Sequence, residues 1–301
     1  MALPAAQSTE YRAAKEAAAL WDTSDRDVLR VTGEERSSFV HGMVTNDVEG
    51  LPVGGSCYAA MLTAKGAMVG DLRVLKREAE LVLDTGAGRG GAVKDFLNKY
   101  LISEDAEVHD APELAVLAVV GPRADDVVAR WPKDAVLGRF VSLLSGMDVL
   151  VRREQVRALL DAVADVPRLS HDTVEVLRVE AGVPLFGVDM TESTIPLEAN
   201  LDRAIHLQKG CYIGQEVIAR ATYRGQMNKK LTGLLLGEAS AAAGTELKHG
   251  DRKVGWLTTV VTSAAKGQVA ALGYVHRDFL APGTELDVAS GGKAVVTALP
   301  L

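Results

Sequence analysis

The sequence predicts an α+β protein that closes on a small all-β module. Three observations predict it. Hydrophobic residues make up 48% of the 301-residue chain and charged ones 24%, enough apolar mass for packed cores and too few polar tracts for disorder. Before Lys230, short alternating runs interleave with helix-period segments. From Lys230 onward, short β-like runs alternate with Gly, Ala and Pro turns. Length sets a prior of two or three domains.

The elements follow in order. Ala5–Leu20 reads as a helix that Ser8 or Thr9 caps, with alanines filling its body. Asp27–Val31 alternates as a short strand. Thr32 then stands at the N-cap of a second helix carrying Phe39 and Val40, which Gly42 ends. Leu51–Gly55 is a turn. Cys57–Leu62 and Met68–Leu75 flank Thr63–Gly66 and read as a β-hairpin with glycine at the bend. Glu80–Asp84 is a strand, Ala92–Leu101 a helix, Leu114–Val120 a strand and Ala124–Arg130 a helix. Val136–Phe140 and Asp148–Val151 are strands, followed by a helix over Arg153–Ala164. Asp172–Glu175 has capping-box spacing for a helix to Ala181, stopped by Gly182 and Pro184. Glu192–Asp202 has no clear period and contains Pro196, so it reads as an ordered loop; Gly214–Tyr223 is helical. The runs Leu231–Leu236, Lys253–Thr262, Val269–Val275, Glu285–Val288 and Lys293–Ala298 make a β-barrel or sandwich of about 70 residues, within the usual domain range.

The formal net charge is −7, which argues against general nucleic-acid binding. The two cysteines, Cys57 and Cys211, are no disulfide framework, and no CxxC is present. A reducing compartment is therefore expected, and with acids but no apolar h-region near the amino terminus the expected location is cytoplasmic. The longest apolar runs stop far short of a membrane span, so no membrane association is expected.

Few patterns carry chemistry. Gly86–Gly91 fits GxGxxG, but it follows a hairpin and lacks a βαβ context, so it reads as a Gly-rich strand-to-helix turn. None of the six histidines has metal-ligand spacing, so no metal site is expected, and no GxSxG occurs. Lys209-Gly210-Cys211-Tyr212-Ile213-Gly214-Gln215-Glu216 is more unusual. Two glycines bracket a cysteine just before a helix, and the helix dipole with Lys209 would favour thiolate. Gln215 and Glu216, in the first helical turn, are placed to contact loop backbone or a ligand. The other reading is a small buried cysteine packing a helix start. Upstream, Ile195–Asn200 places Glu198 and Asn200 in a rigid loop, where a carboxylate can accept bidentately from adjacent N–H donors of a planar ring such as a pterin.

Together these residues resemble the YgfZ-type folate-binding proteins of the glycine-cleavage T-protein (aminomethyltransferase) superfamily. Lys209–Glu216 reads as the YgfZ signature K-G-C-[FY]-x-G-Q-E without departure. Gly33–Arg36 with Gly42–Asp47, Leu62–Gly66 leading to Asp71, Arg178 with Glu180–Pro184, Gly187–Met190, Pro196–Asn200 and Ala271–Val275 are similar to the wider superfamily. The resemblance covers nearly the whole chain. It implies a three-lobed ring around a folate cavity: residues 1–229 as the folate-binding region, with a second lobe inserted around 52–112, and 230–301 as the carboxy-terminal barrel. It implies that Glu198, with Asn200 and Asp71, holds tetrahydrofolate or a folate derivative. T-proteins carry an acidic pair where this chain has Gly70-Asp71, which counts against aminomethyl transfer. The YgfZ branch implies support of iron–sulfur enzymes, with client or assembly proteins as partners and Cys211 as the reactive group beside Lys209, Gln215 and Glu216. A one-carbon transferase or demethylase and a non-catalytic docking scaffold are the alternatives.

Overall fold

The computed structural model describes residues 9–224, 227–237 and 240–301. In chain order the elements are α1 (Thr9–Glu16), β1 (Ala19–Asp22), β2 (Asp27–Thr32), α2 (Arg36–Met43), β3 (Ser56–Leu62), β4 (Met68–Lys76), β5 (Leu81–Thr85) and α3 (Gly90–Tyr100). Next come β6 (Glu107–Asp110), β7 (Leu114–Val120), α4 (Ala124–Val128), β8 (Gly138–Phe140), β9 (Gly146–Arg152), α5 (Val156–Asp161), α6 (His171–Ala181) and α7 (Gln215–Arg224). The chain then runs through β10 (Lys229–Gly237), β11 (Glu246–His249), β12 (Arg252–Ser263), β13 (Gln268–His276), β14 (Glu285–Val288) and β15 (Lys293–Thr297).

These elements form two compact units interleaved in sequence. One holds Ala13–Arg168 and Leu201–Arg220; the other holds the segment ending at Arg12, Leu169–Asn200 and the chain from Ala221 onward.

The Ala13–Arg168 unit contains two antiparallel sheets. The five-stranded sheet runs β3-β4-β5-β2-β6 and the four-stranded one β1-β7-β9-β8. The hairpin expected around Gly66 is present: β3 pairs with β4, and Gly66 turns the chain at φ +76°. One core gathers Leu29, Val40, Met61, Leu72, Leu83 and Leu97 beneath the five-stranded sheet. A second packs Leu117, Val119, Trp131, Val149 and Leu159 around the four-stranded one. A buried chain of charges runs between strands: Arg26 and Arg73 both grip Asp84, and Arg73 also pairs with Asp148.

In the other unit, β10–β15 close into a barrel in the order β10-β13-β12-β11-β14-β15, which decides between barrel and sandwich. Leu234, Leu247, Leu257, Leu286 and Val296 fill its interior. Helix α6 is bound to the barrel wall by buried polar contacts. Arg178 pairs with Asp189 at 2.6 Å and donates to Thr259 Oγ1, and Glu180 accepts from Ser263 Oγ at 2.8 Å.

Several boundaries differ from the sequence pattern. The first helix stops at Glu16 because Ala19 and Leu20 pair with β7 and are buried there; tertiary pairing overrides alanine propensity. Ser8 lies outside the described residues. Thr32 ends β2 rather than capping α2, whose N-cap is Glu35, and Gly42 sits inside that helix. The helix expected over Arg153–Ala164 divides into a 3₁₀ turn at Arg153–Gln155 and the shorter α5. The N-cap of α6 is Ser170, not Asp172. The Glu192–Asp202 loop contains a 3₁₀ turn, Pro196–Ala199, and the short strands β6 and β11 were not legible as such. The Gly86–Gly91 stretch is a strand-to-helix turn in an antiparallel sheet, and the Gly90 amide that would face a phosphate donates to Asp27 Oδ2 at 2.7 Å.

Candidate functional site

Each unit carries part of the predicted residue set. The turn Pro196–Ala199 presents Glu198, with proline at its start setting φ for the turn. The Glu198 residue is only 7% exposed. Burial raises its pKa above the ordinary carboxylate value, and the Lys229 ammonium opposes that. Lys229 Nζ lies 3.8 Å from Glu198 Oε2. The same ammonium lies 4.9 Å from the ring centre of Trp256 and 5.2 Å from that of Tyr274. Those two rings stack with centres 5.1 Å apart and planes 28° from parallel. Burial pushes the Tyr274 phenol up, with Glu198 and Asp189 adding to the rise and Thr194 opposing it. Its hydroxyl lies beside Thr194 without a well-formed hydrogen bond.

A dry carboxylate and a stacked aromatic pair within reach of one ammonium can recognise a planar ring bearing N–H donors. Trp256, only partly buried and backed by the buried Tyr274, can supply a flat apolar face, and the carboxylate can accept from the ring's edge. The residues present therefore fit a pterin-like heterocycle. Lys229, Trp256 and Tyr274 were missed in the sequence. Trp256 and Tyr274 read as strand residues of an all-β module, and only the register between β12 and β13, which sets Trp256 opposite Tyr274, brings them together. Asn200 stands at the C-cap of the Pro196–Ala199 turn. It holds a left-handed conformation (φ 59°) and its amide donates to the Leu231 carbonyl at 2.7 Å, fixing the loop to β10.

In the Ala13–Arg168 unit, Asp71 lies on β4 and accepts from the Tyr58 hydroxyl at 2.7 Å. Burial raises its pKa, while Tyr58 and Arg26 hold the rise back. Burial would likewise push neighbouring Asp84 up, but Arg26 and Arg73 keep it below the usual carboxylate range. Beside Asp71, a side chain at Gly70 would enter open space.

The Lys209–Gly214 loop is fastened to the end of α2. Lys209 Nζ donates to the carbonyls of His41 and Val44, the latter at 2.7 Å. His41 Nε2 meets the Lys209 carbonyl at 2.8 Å, and the Ile213 amide donates to the Gly42 carbonyl at 3.1 Å. Burial pushes the Lys209 ammonium down to about 8, against Asp47, Cys57 and Glu49, which favour its charge. Lys209 is thus the loop's anchor, with its ammonium also 4.9 Å from the Tyr212 ring centre. Gln215 Oε1 accepts from the Tyr212 amide at 3.1 Å and steadies the turn into α7. Glu216 is solvent-exposed and pairs with Arg220 one turn along the helix. Gly210 and Gly214, at φ +95° and +83°, flank a free and exposed Cys211. Cys57 is buried, and burial pushes its thiol up to about 12. Among the described residues no group of His, Cys, Asp and Glu is arranged to hold a metal ion, and no helix is long and apolar enough to cross a membrane.

The fold agrees with comparisons to known proteins. Residues 3–143 match the GCVT N-terminal domain, and residues 229–301 match the glycine cleavage T-protein C-terminal barrel domain. An aminomethyltransferase from Thermotoga petrophila is 29% identical, over 96% of this chain and 86% of its own length. Another from Alkaliphilus oremlandii is 27% identical, over 93% and 84%. The solved glycine cleavage system aminomethyltransferase T of Bartonella henselae shares the fold, with a TM-score of 0.86 at 23% identity over 97% of this chain and 88% of that one. The chain belongs to the glycine cleavage T-protein (aminomethyltransferase) family.

Proposed function

We propose that this chain is a tetrahydrofolate-binding accessory protein that supports assembly or repair of iron–sulfur enzymes through Cys211. The observation that carries the folate reading is the dry Glu198 carboxylate beside the Trp256–Tyr274 pair. Family membership points to the same ligand. The finer assignment rests on the Lys209–Glu216 signature and on the display of Cys211 at the tip of a fastened loop.

A second reading, one-carbon transfer, is favoured by the relatives, which are named aminomethyltransferases. Against it stands Gly70, where the resemblance leads one to expect a carboxylate to guide proton movement on the substrate amine.

Calorimetry with tetrahydrofolate tests the ligand. Glu198→Ala should cost about 2–5 kcal/mol of binding, because ring donors lose a buried charged partner. Equal affinity in both proteins would remove Glu198 from the site. Cys211→Ser should bind folate normally and fail to support iron–sulfur enzymes. Methylene-folate production from an aminomethylated carrier protein, at a rate comparable with a T-protein, would select the transferase instead.

A further inference from the structure

The Ala13–Arg168 unit has a concave site that neither Glu198 nor Cys211 lines. It is a cleft of about 680 Å³ where the ends of β2, β4, β7 and β9 meet, and Arg30, Arg77, Arg152 and Arg153 line it with Glu113 and Glu154. Four guanidiniums thus face two carboxylates in a chain whose net charge is −7.

The arginines are not equivalent. Arg153 is built into the wall. Its Nε, Nη1 and Nη2 donate to the carbonyls of Pro112, Ser24 and Leu114 at 2.6, 2.6 and 3.0 Å. Carbonyl dipoles orient that guanidinium but do not cancel its charge. Arg30 pairs with Glu113 and lies 3.6 Å from Glu80, and its buried Nε makes no hydrogen bond. Arg77 pairs with Glu80 at 2.5 Å. Arg152 has no ion pair or side-chain hydrogen bond among the described residues. On its other side Arg153 also lines a smaller cleft of about 490 Å³ with Arg157 and Arg168. In that cleft Asp161 pairs with Arg157, while Asp22 accepts from the Ser24 amide.

We infer that the Arg30–Arg77–Arg152–Arg153 cleft binds a small multivalent anion carrying carboxylates or phosphates. Guanidinium forks match both groups bidentately, and the volume suits a small ligand. A fixed Arg153 orders little on binding, whereas the paired Arg30 and Arg77 set the cleft's edge. One anionic group would meet Arg153 and Arg152, and a second would reach towards Arg77.

The test is titration of the whole protein with tripolyphosphate and, separately, with citrate, at low and moderate salt. Wild type should bind at least one probe, more weakly as salt rises. Arg152→Glu should weaken binding roughly tenfold or more with an unchanged melting temperature, because the side chain holds nothing in the fold. Arg123→Ala, which removes an exposed arginine paired with Asp126 away from the cleft, should bind as wild type does. Binding of tripolyphosphate alone assigns a phosphate ligand, and binding of citrate alone a carboxylate one. Absence of binding for both probes, or equal affinity in wild type and Arg152→Glu, would overturn the assignment.

Discussion

At the residue scale, the two cysteines have opposite environments. Cys57 is buried under the five-stranded sheet and its thiol is pushed up to about 12, so at neutral pH it is protonated as well as covered. Cys211 is exposed. A thiol reagent added to the native protein should therefore modify Cys211 at least tenfold faster than Cys57, checked by mass spectrometry of the peptides. Protection of Cys211 would place it in packing after all. Glu198 gives a second prediction. Burial raises its pKa, so the folded state holds the proton more tightly than the unfolded one. The cost of the buried charge is absent below the unfolded value near 4.5 and grows as pH rises through the folded value. Glu198→Gln should then melt about 1–3 °C above wild type at pH 7 and match it at pH 4, while binding folate less well. A scanning-fluorimetry series across that range checks it. The sequence exposed Cys211 and Glu198 through their neighbours, a glycine on either side of one and a proline turn before the other. It hid Lys229, because a lysine at a strand start carries no mark of the carboxylate it will meet.

At the element scale, the loop before α7 depends on one glycine more than the other. A methyl group at Gly214 would lie 2.7 Å from the Thr63 carbonyl oxygen and 2.8 Å from Leu62 Cβ, in a left-handed conformation. Gly214→Ala should destabilise the protein by about 1–3 kcal/mol. Gly70→Ala, which enters open space, should stay within about 0.5 kcal/mol of wild type in the same denaturant titration. The helix starts show why capping was only half legible. Ser170 accepts from the Thr173 amide as an N-cap should, but the return contact to the Ser170 amide comes from Glu10, a residue remote in sequence. Glu175, which the local spacing nominates for a cap, instead pairs with Arg178. Local spacing names the residue types for a cap; chain topology chooses which ones serve.

At the scale of the whole molecule, the strand pattern after Lys230 was readable, β11 excepted, because turns punctuate the other runs. The division of the chain into units was not, since four crossings between units leave no compositional trace. The barrel also needs residues outside its own stretch. Asp189 accepts from Thr258 and Thr259, Glu180 from Ser263, and Val179 packs with Leu231, Leu272 and Tyr274. A 229–301 fragment should therefore be markedly less stable than a 169–301 fragment, with about 2 kcal/mol or more separating them in urea, since it leaves buried hydroxyls unpaired and apolar wall exposed. Equal stability would show the barrel to be self-sufficient.

Interleaving also imposes a timetable during translation. The unit that carries Cys211 has all its residues once Arg220 has left the ribosome. The unit that carries Glu198 must wait for β15 and for Leu301, whose amide donates to the Glu180 carbonyl. At about 5–20 residues per second, that leaves an interval of several seconds. Glu10 and Tyr11, made well before Ser170, spend it without Ser170, Thr173 and Glu180 in their finished setting. The nascent chain thus completes its thiol-bearing loop before its aromatic box, and Glu10 and Tyr11, made long before that loop, are among the last residues to be locked.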